Sequence, residues 1–253
     1  QEEKIINTLI KLKSNGLGDK TVKSYSYDLR HIAKKCNLSN PEQVKAYISN
    51  AQTSKTKQPL DNATKNKYAN AYNHFCKING IQWQKPYYRV EENTPLIPTQ
   101  SDVQAIIDHA TKRYAVIFTI ESEIGCNPEE LHKVSQKDIN SEQGTISIKG
   151  CKGHASGNYK LKQHTAEMLR EYLYKHTEEY PFPNGHAQSQ IWVQTRRRAY
   201  EKLHKPELLK IELRNLRNYS GERFYKSLPI RDPIAVMRHL RHKKLETTMH
   251  YIR

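Results

Sequence analysis

The last fourteen residues, LRHKKLETTMHYIR, set a phenol among cations. Tyr251 follows His242 by nine residues, Arg241 and Lys243 flank the His, and Thr247 and Thr248 precede the Tyr. Upstream, Arg214 and Arg217 stand three residues apart, a spacing that predicts one shared helix face. Such a set suits attack on a phosphodiester. That bond is shielded by its own negative charge, and attack by a phenol oxygen adds more charge to the non-bridging oxygens. Guanidiniums fixed against those oxygens lower the barrier. Singly, each residue has a plainer reading: Tyr251 as a terminal aromatic, His242 as a helix C-cap, the two Arg as solvated side chains.

Other phosphate chemistries lack their residues. The chain has no Gly-rich loop ending in Lys-Ser/Thr and no His-Glu-x-x-His, and its acidic residues do not gather into a two-metal set. Cys36, Cys76, Cys126 and Cys151 are too far apart in sequence for a metal-type pair, and four Cys are ordinary for a reducing compartment. No metal and no cofactor is expected. Neither a signal peptide nor a membrane-length apolar run is visible, so a cytoplasmic, DNA-associated protein with no membrane partner is expected.

The composition names the partner class. Hydrophobic residues make up 36%, and the formal net charge is +16; mean hydropathy is -0.89 and the pI near 9.6. Such an excess predicts a polyanion, most often nucleic acid. Residues 1–98 hold 16 Lys+Arg against 8 Asp+Glu, and residues 99–253 hold 26 against 18, so each part carries +8. Both parts could grip one polyanion.

The elements that must position these residues follow from periodicity. In the first part, Ile5, Ile6, Leu9 and Leu12 mark one helix face, and Val22, Tyr25, Leu29 and Ile32 a second. Asn40-Pro41 opens a third helix. Tyr68, Ala71, Tyr72, Phe75 and Ile78 mark a fourth, stopped at Asn79-Gly80. These stripes predict a four-helix domain over 1–83, and the Pro-bearing stretch 84–98 predicts a linker. Residues 99–253 read as mixed. Helices are expected at 101–111, 112–124, from Asn127-Pro128, at 165–176, at 196–205 and, with a break near Glu212, over 206–228. A further helix opens at Asp232-Pro233 with Ile234, Met237 and Leu240 inward, and a last one near Thr247. Between them, GTISIKGCKGHASGNYKLK predicts a β-hairpin whose turn carries Lys152. The fold class is mostly α, with an α+β second domain and a small hairpin sheet.

The order of these motifs resembles the tyrosine recombinase family, the phage-type integrases together with Xer-like and archaeal-integrase-like proteins. The family ends in His/Lys/Arg-x-x-Arg, then Leu-Gly-His, then Thr-Thr-x-x-Tyr with the Tyr nine after the His. Here Arg214 takes the variable first position and Arg241 replaces the Gly. A hairpin Lys matches Lys152. Gly-x-Arg-x-x-Glu-Leu with a later Asp-Ile matches Gly125 to Leu131 and Asp138-Ile139, except that Asn127 stands where the family has its first Arg. The N-terminal TVKSYSYDL is similar to the family's core-binding domain.

The resemblance implies a site-specific recombinase or integrase acting without metal or ATP. Arg217 would clamp a phosphate oxygen, with Arg214 nearby. Lys152 would be general acid for the departing 5′-hydroxyl, and His242 would assist by proton transfer or hydrogen bonding. Tyr251 would form a 3′-phosphotyrosine link. Double-stranded DNA at a specific site is the expected partner. It would be met by Lys20, Lys23, Lys65 and Lys67, by Arg196, Arg197 and Arg198, and by Arg241 and Lys243. A homo-tetramer at synapsis, monomer or dimer when free, and a prokaryotic, viral or plasmid origin are implied. With the chain ending at Arg253, the segment that would dock between subunits is expected to be absent or very short. Asn127 caps a helix well but offers one neutral donor in place of a charged fork. Three readings fit it: a substitution that traps a complex, a natural member of reduced activity, or another basic residue that fills the gap. The alternative function is a DNA-binding protein on the same fold that does not cut. An RNA-binding helical protein is the third reading, and no RNA-module signature supports it.

Overall fold

The computed structural model describes residues 1–253 except Ser54, Lys55, Glu92, Asn93, Lys152, Gly153, Tyr251 and Arg253. The chain forms two compact units, residues 1–92 and 93–253.

Four α-helices are described in the first unit: α1 (Glu2–Ser14), α2 (Asp19–Ala33), α3 (Pro41–Asn50) and α4 (Asn62–Asn79). Each end has a local cause. Asn40 accepts the Gln43 N–H at 3.1 Å ahead of Pro41, Asp61 accepts the Thr64 N–H at 2.7 Å, and Gly80 ends α4 in the left-handed conformation. The core joins Ile5, Leu29, Ile32, Val44, Ile48, Tyr72 and Phe75. Ile6, expected inward, is exposed. It lies about 100° round the helix from Ile5, and Thr8 takes the inward place. The Thr8 hydroxyl bonds the Lys4 carbonyl at 2.7 Å and accepts from the Asn79 amide at 3.0 Å. The stretch read as a linker is in part tied down. Asn66 accepts the Tyr88 N–H at 3.0 Å, and Asn62 donates to the Arg89 carbonyl at 2.7 Å.

The second unit begins with α5 (Gln100–Asp108), α6 (Lys112–Ile124) and α7 (Pro128–His132). A three-stranded antiparallel sheet follows: β1 (Ile139–Asn140), β2 (Thr145–Ile148) and β3 (Gly157–Lys160). In its register Ile146 faces Ile139 and Tyr159, and Ile148 faces Gly157. The predicted hairpin is therefore present, with β1 as an added edge. Next come α8 (Gln163–Lys175), α9 (Gly185–Leu203), α10 (Asn215–Ser227), α11 (Pro233–His239) and α12 (Leu245–Met249). Helix α9 starts eleven residues before the expected 196, because Asn184 caps it by accepting the Ala187 N–H at 2.9 Å. Its first half is polar in sequence, which hides the period, yet Gln188 and Trp192 are fully buried. Trp192 packs edge-on to Phe118 at 4.9 Å, and its N–H donates to the Ile211 carbonyl at 2.9 Å. In α11 the inward residues are Val236 and Leu240, not Ile234, which is exposed.

Two glycines let α6, α10 and α11 close up. Gly125 ends α6 at φ +61°, and a Cβ there would lie 2.6 Å from Leu240 Cδ2. A Cβ on Gly221 of α10 would lie 2.7 Å from Leu240 Cδ1. Leu240 is fully buried between them. That wedge brings the backbone carbonyls of 125 and 240 within reach of one Arg on α10.

Candidate active site

That Arg is Arg217, on the first turn of α10 and 6% exposed. It donates to the Gly125 carbonyl at 2.6 Å and to the Leu240 carbonyl, and lies 3.7 Å from Glu130 Oε2. A guanidinium so fixed is pre-oriented, because its planar fork is locked by two backbone oxygens. It lines a pocket of about 710 Å³ shared with Asn127, His154, Arg214, His242 and Thr247. The expected face shared by Arg214 and Arg217 does not form. Arg214 sits at the cap position before α10, its side chain 80% exposed and paired to Glu212 at 2.7 Å. Helix α10 begins too late to carry both.

Glu130 organises the floor. It is fully buried, and its carboxylate accepts the Asn127 N–H at 2.9 Å, His154 Nδ1 at 2.6 Å and an Arg241 guanidinium N–H at 2.8 Å. Burial alone would push its pKa up. Arg241, the Asn127 amide, His154 and Arg217 together outweigh burial and hold it below the usual carboxylate range, so it is ionised. Glu130 also completes a capping box with Asn127 at the start of α7.

Arg241 was expected at DNA. Instead it is 1% exposed, with φ +60° where the recombinase pattern has Gly. A left-handed non-glycine residue costs on the order of 1–2 kcal/mol. The bonds made by its two terminal guanidinium nitrogens in a buried setting offset it. Besides Glu130, the guanidinium donates to the Gly125 carbonyl at 3.2 Å and to the Tyr159 hydroxyl. Tyr159 in turn donates to the His239 carbonyl at 2.6 Å, and the Ala155 N–H reaches the Arg241 carbonyl at 3.0 Å. Arg241 thus ties the β2–β3 hairpin to the ends of α6 and α11.

His242 is buried, and its Nδ1 lies 2.9 Å from the Thr248 hydroxyl of α12. Burial, then Arg217, His154 and Arg241, push its pKa down to about 3. At neutral pH it is an uncharged ring, able to accept or pass a proton rather than to neutralise a phosphate. Its centroid lies 6.0 Å from that of His154. Tyr251 and Lys152 lie outside the described residues. Next to the first, Ile252 is buried with Val236 and Leu240.

The expected DNA contacts divide. Lys20, Lys23, Arg197, Arg198 and Lys243 are exposed. Lys67 is spent in part on the buried Asp28 at 3.1 Å, and Lys65 lies 5.6 Å over the Tyr88 ring. Arg196 turns inward, donating to the Ile211 carbonyl at 2.9 Å. Among the described residues no cluster of His, Cys, Asp and Glu could hold a metal ion, and no helix is long and apolar enough to cross a membrane. His154 is the site residue that the sequence reading passed over.

A family model described as the phage integrase family matches residues 98–253. The solved structure of a lambda integrase tetramer bound to a Holliday junction is similar over all of this chain and 77% of its own, at 14% identity and a TM-score of 0.76. The Tn1549 transposon integrase in complex with transposon right end DNA is similar over 98% of this chain and 94% of its own, at 11% identity and a TM-score of 0.75. For XerH site-specific recombinase bound to its difH substrate the values are 97%, 80%, 20% and 0.68. These likenesses show a shared fold. No curated protein matches the chain in sequence.

Proposed function

The chain belongs to the phage integrase family, and on that premise we propose that it is a site-specific DNA recombinase that cuts and rejoins strands through Tyr251. The phenol oxygen attacks the scissile phosphorus as the bond from phosphorus to the 5′-oxygen breaks. The strand is left joined to Tyr251 through its 3′-phosphate. The phenol proton passes to His242 or to water, and the leaving 5′-oxygen takes a proton from Lys152. Return attack by the 5′-hydroxyl of another strand reverses each transfer and frees Tyr251. The covalent link keeps the bond energy, so no nucleotide is consumed.

One observation carries this reading: Arg217 is locked by two backbone carbonyls at the wall of a pocket that also holds Asn127, His154 and His242. A fixed cation there meets charge as it develops and needs no reorganisation. Arg214, exposed and paired with Glu212, adds a second cation when it turns to the phosphate. The DNA-bound neighbours, one a tetramer on a Holliday junction, support duplex DNA as substrate and a tetramer at synapsis.

The test is a library of nicked duplexes of random sequence, in which cleavage near the nick releases a short strand and traps the link. On a denaturing gel the chain is expected to carry DNA, and Tyr251→Phe to carry none while still binding the recovered duplexes. Asn127 favours the second reading, DNA binding without cleavage. That reading predicts retarded but unlinked DNA from the unaltered chain.

A further inference from the structure

Asn127 leaves the phosphate short of one charged ligand, and two basic side chains lie close to it. Arg241 is not the replacement, because it is 1% exposed and its guanidinium donates to Glu130, Tyr159 and backbone carbonyls. His154 differs in every respect. It lines the same pocket as Arg217 and His242, with 23% of its side chain exposed. Its Nδ1 lies 2.6 Å from Glu130 Oε1 and 3.4 Å from the Asn127 amide nitrogen.

An ionised carboxylate is only an acceptor, so in the shorter contact Nδ1 carries a proton and donates it to Glu130. The Asn127 amide, itself a donor, is a neighbour of that nitrogen and not its partner. Nε2 is then the atom left for a ligand, and among the described residues it meets no hydrogen-bonding partner. The backbone around His154 is also held: its N–H reaches the Cys151 carbonyl at 3.0 Å, and the next N–H reaches Arg241. Fixing one ring nitrogen on a buried carboxylate aims the other.

We propose that His154 is a catalytic residue of this recombinase, donating from Nε2 to a non-bridging oxygen of the scissile phosphate in the place that Asn127 vacates. The proposal rests on the recombinase reading above. In the transition state the ring lies between two anions, donating to Glu130 from Nδ1 and to the phosphate oxygen from Nε2. Arg217 holds the phosphate from α10 and His154 from the hairpin. His242 contributes no charge, and the proton transfers stay with Lys152, His242 and the two hydroxyls. Glu130, which in this chain binds both Arg241 and His154, is the positioning residue for the pair.

The experiment measures single-turnover linkage to nicked duplexes recovered from the random library, for the unaltered chain, His154→Ala, and His154→Ala with Asn127→Arg. Removing one donor to a developing charge slows such reactions by roughly 10²–10³-fold. His154→Ala is expected to show that loss with duplex affinity within about threefold, since a single phosphate contact adds little to a many-contact grip. Asn127→Arg is expected to restore most of the rate, because it returns a cation to the same oxygen. A methylphosphonate at the scissile position, which removes the charge, is expected to erase the difference between His154→Ala and the unaltered chain. Linkage by His154→Ala at the unaltered rate overturns the proposal. So does a loss that neither Asn127→Arg nor the methylphosphonate relieves, which marks a structural role. If the unaltered chain binds duplex and links none, the recombinase reading falls and this one with it.

Discussion

At the scale of single residues, the site depends on one buried carboxylate and the charges around it. Glu130 is fully buried, and the Arg241 guanidinium pairs with it at 2.8 Å. Breaking one side of such a pair leaves an uncompensated charge, at a cost of about 3–5 kcal/mol. Arg241→Met is expected to lose stability of that order in urea unfolding, and Glu130→Gln with Arg241→Met to lose clearly less than the two single losses added. Simple additivity would mean that the two do not act as a pair. Glu121 is a different case. It is fully buried, neither carboxyl oxygen has a hydrogen-bond partner among the described residues, and burial raises its pKa well above the usual range. Unfolded, it ionises near the ordinary value. Its contribution is thus full below about pH 4.3 and is lost as pH rises. Glu121→Gln removes that loss, so its urea midpoint should gain on the unaltered chain between pH 4 and pH 8. A gap that narrows with pH would contradict the assignment. These roles were hard to read in advance. Asn127 was legible as a departure from a motif. Arg241 read as one more surface cation, because its acceptors come from residues 124–130, 159 and 239 and no local spacing announces them. His154 stood two residues from Lys152, but its partner lies 24 positions away.

At the scale of elements, the close approach of α6, α10 and α11 aligns the carbonyls that lock Arg217. Leu240 is the wedge, seated against Gly125 and Gly221. Gly125→Ala should therefore be costly twice. The left-handed backbone adds about 1–2 kcal/mol, and overpacking against a side chain with no room to move adds about 1–3 kcal/mol. The expected result is a loss of a few kcal/mol in urea unfolding and slower DNA linkage. Leu240→Ala in the same chain should relieve the steric part, so the double variant loses less than the sum. Equal stability of Gly125→Ala and the unaltered chain would show that the wedge sets nothing. Helix periodicity made α2, α3 and α4 plain in the sequence, and alternation with Gly made the hairpin plain. It misplaced α9, whose first half buries Gly185, Gln188 and Trp192 rather than an apolar stripe. It also placed Arg214 inside α10, where the chain is still turning.

At the scale of the whole molecule, charge rather than apolar surface sets how DNA is met. Residues 1–98 and 99–253 each carry +8, and a grip shared by both would draw its strength from displaced counterions. The logarithm of affinity should fall linearly with the logarithm of salt, with a slope steeper than about −5 if six or more phosphates are neutralised. A slope near zero, measured by fluorescence anisotropy on a recovered duplex, would contradict that. The total charge was legible from composition, because it needs no long-range contact. Of the pocket residues, Asn127, Arg217 and His242 were legible through the resemblance, and His154 was not, since only folding brings it beside them. The most direct test of the central claim is to digest the protein–DNA adduct and sequence the linked peptide by mass spectrometry. The account predicts one nucleotide-bearing peptide, with the added mass on Tyr251. A link on any other residue, or duplex bound tightly with no linked peptide at all, would contradict it.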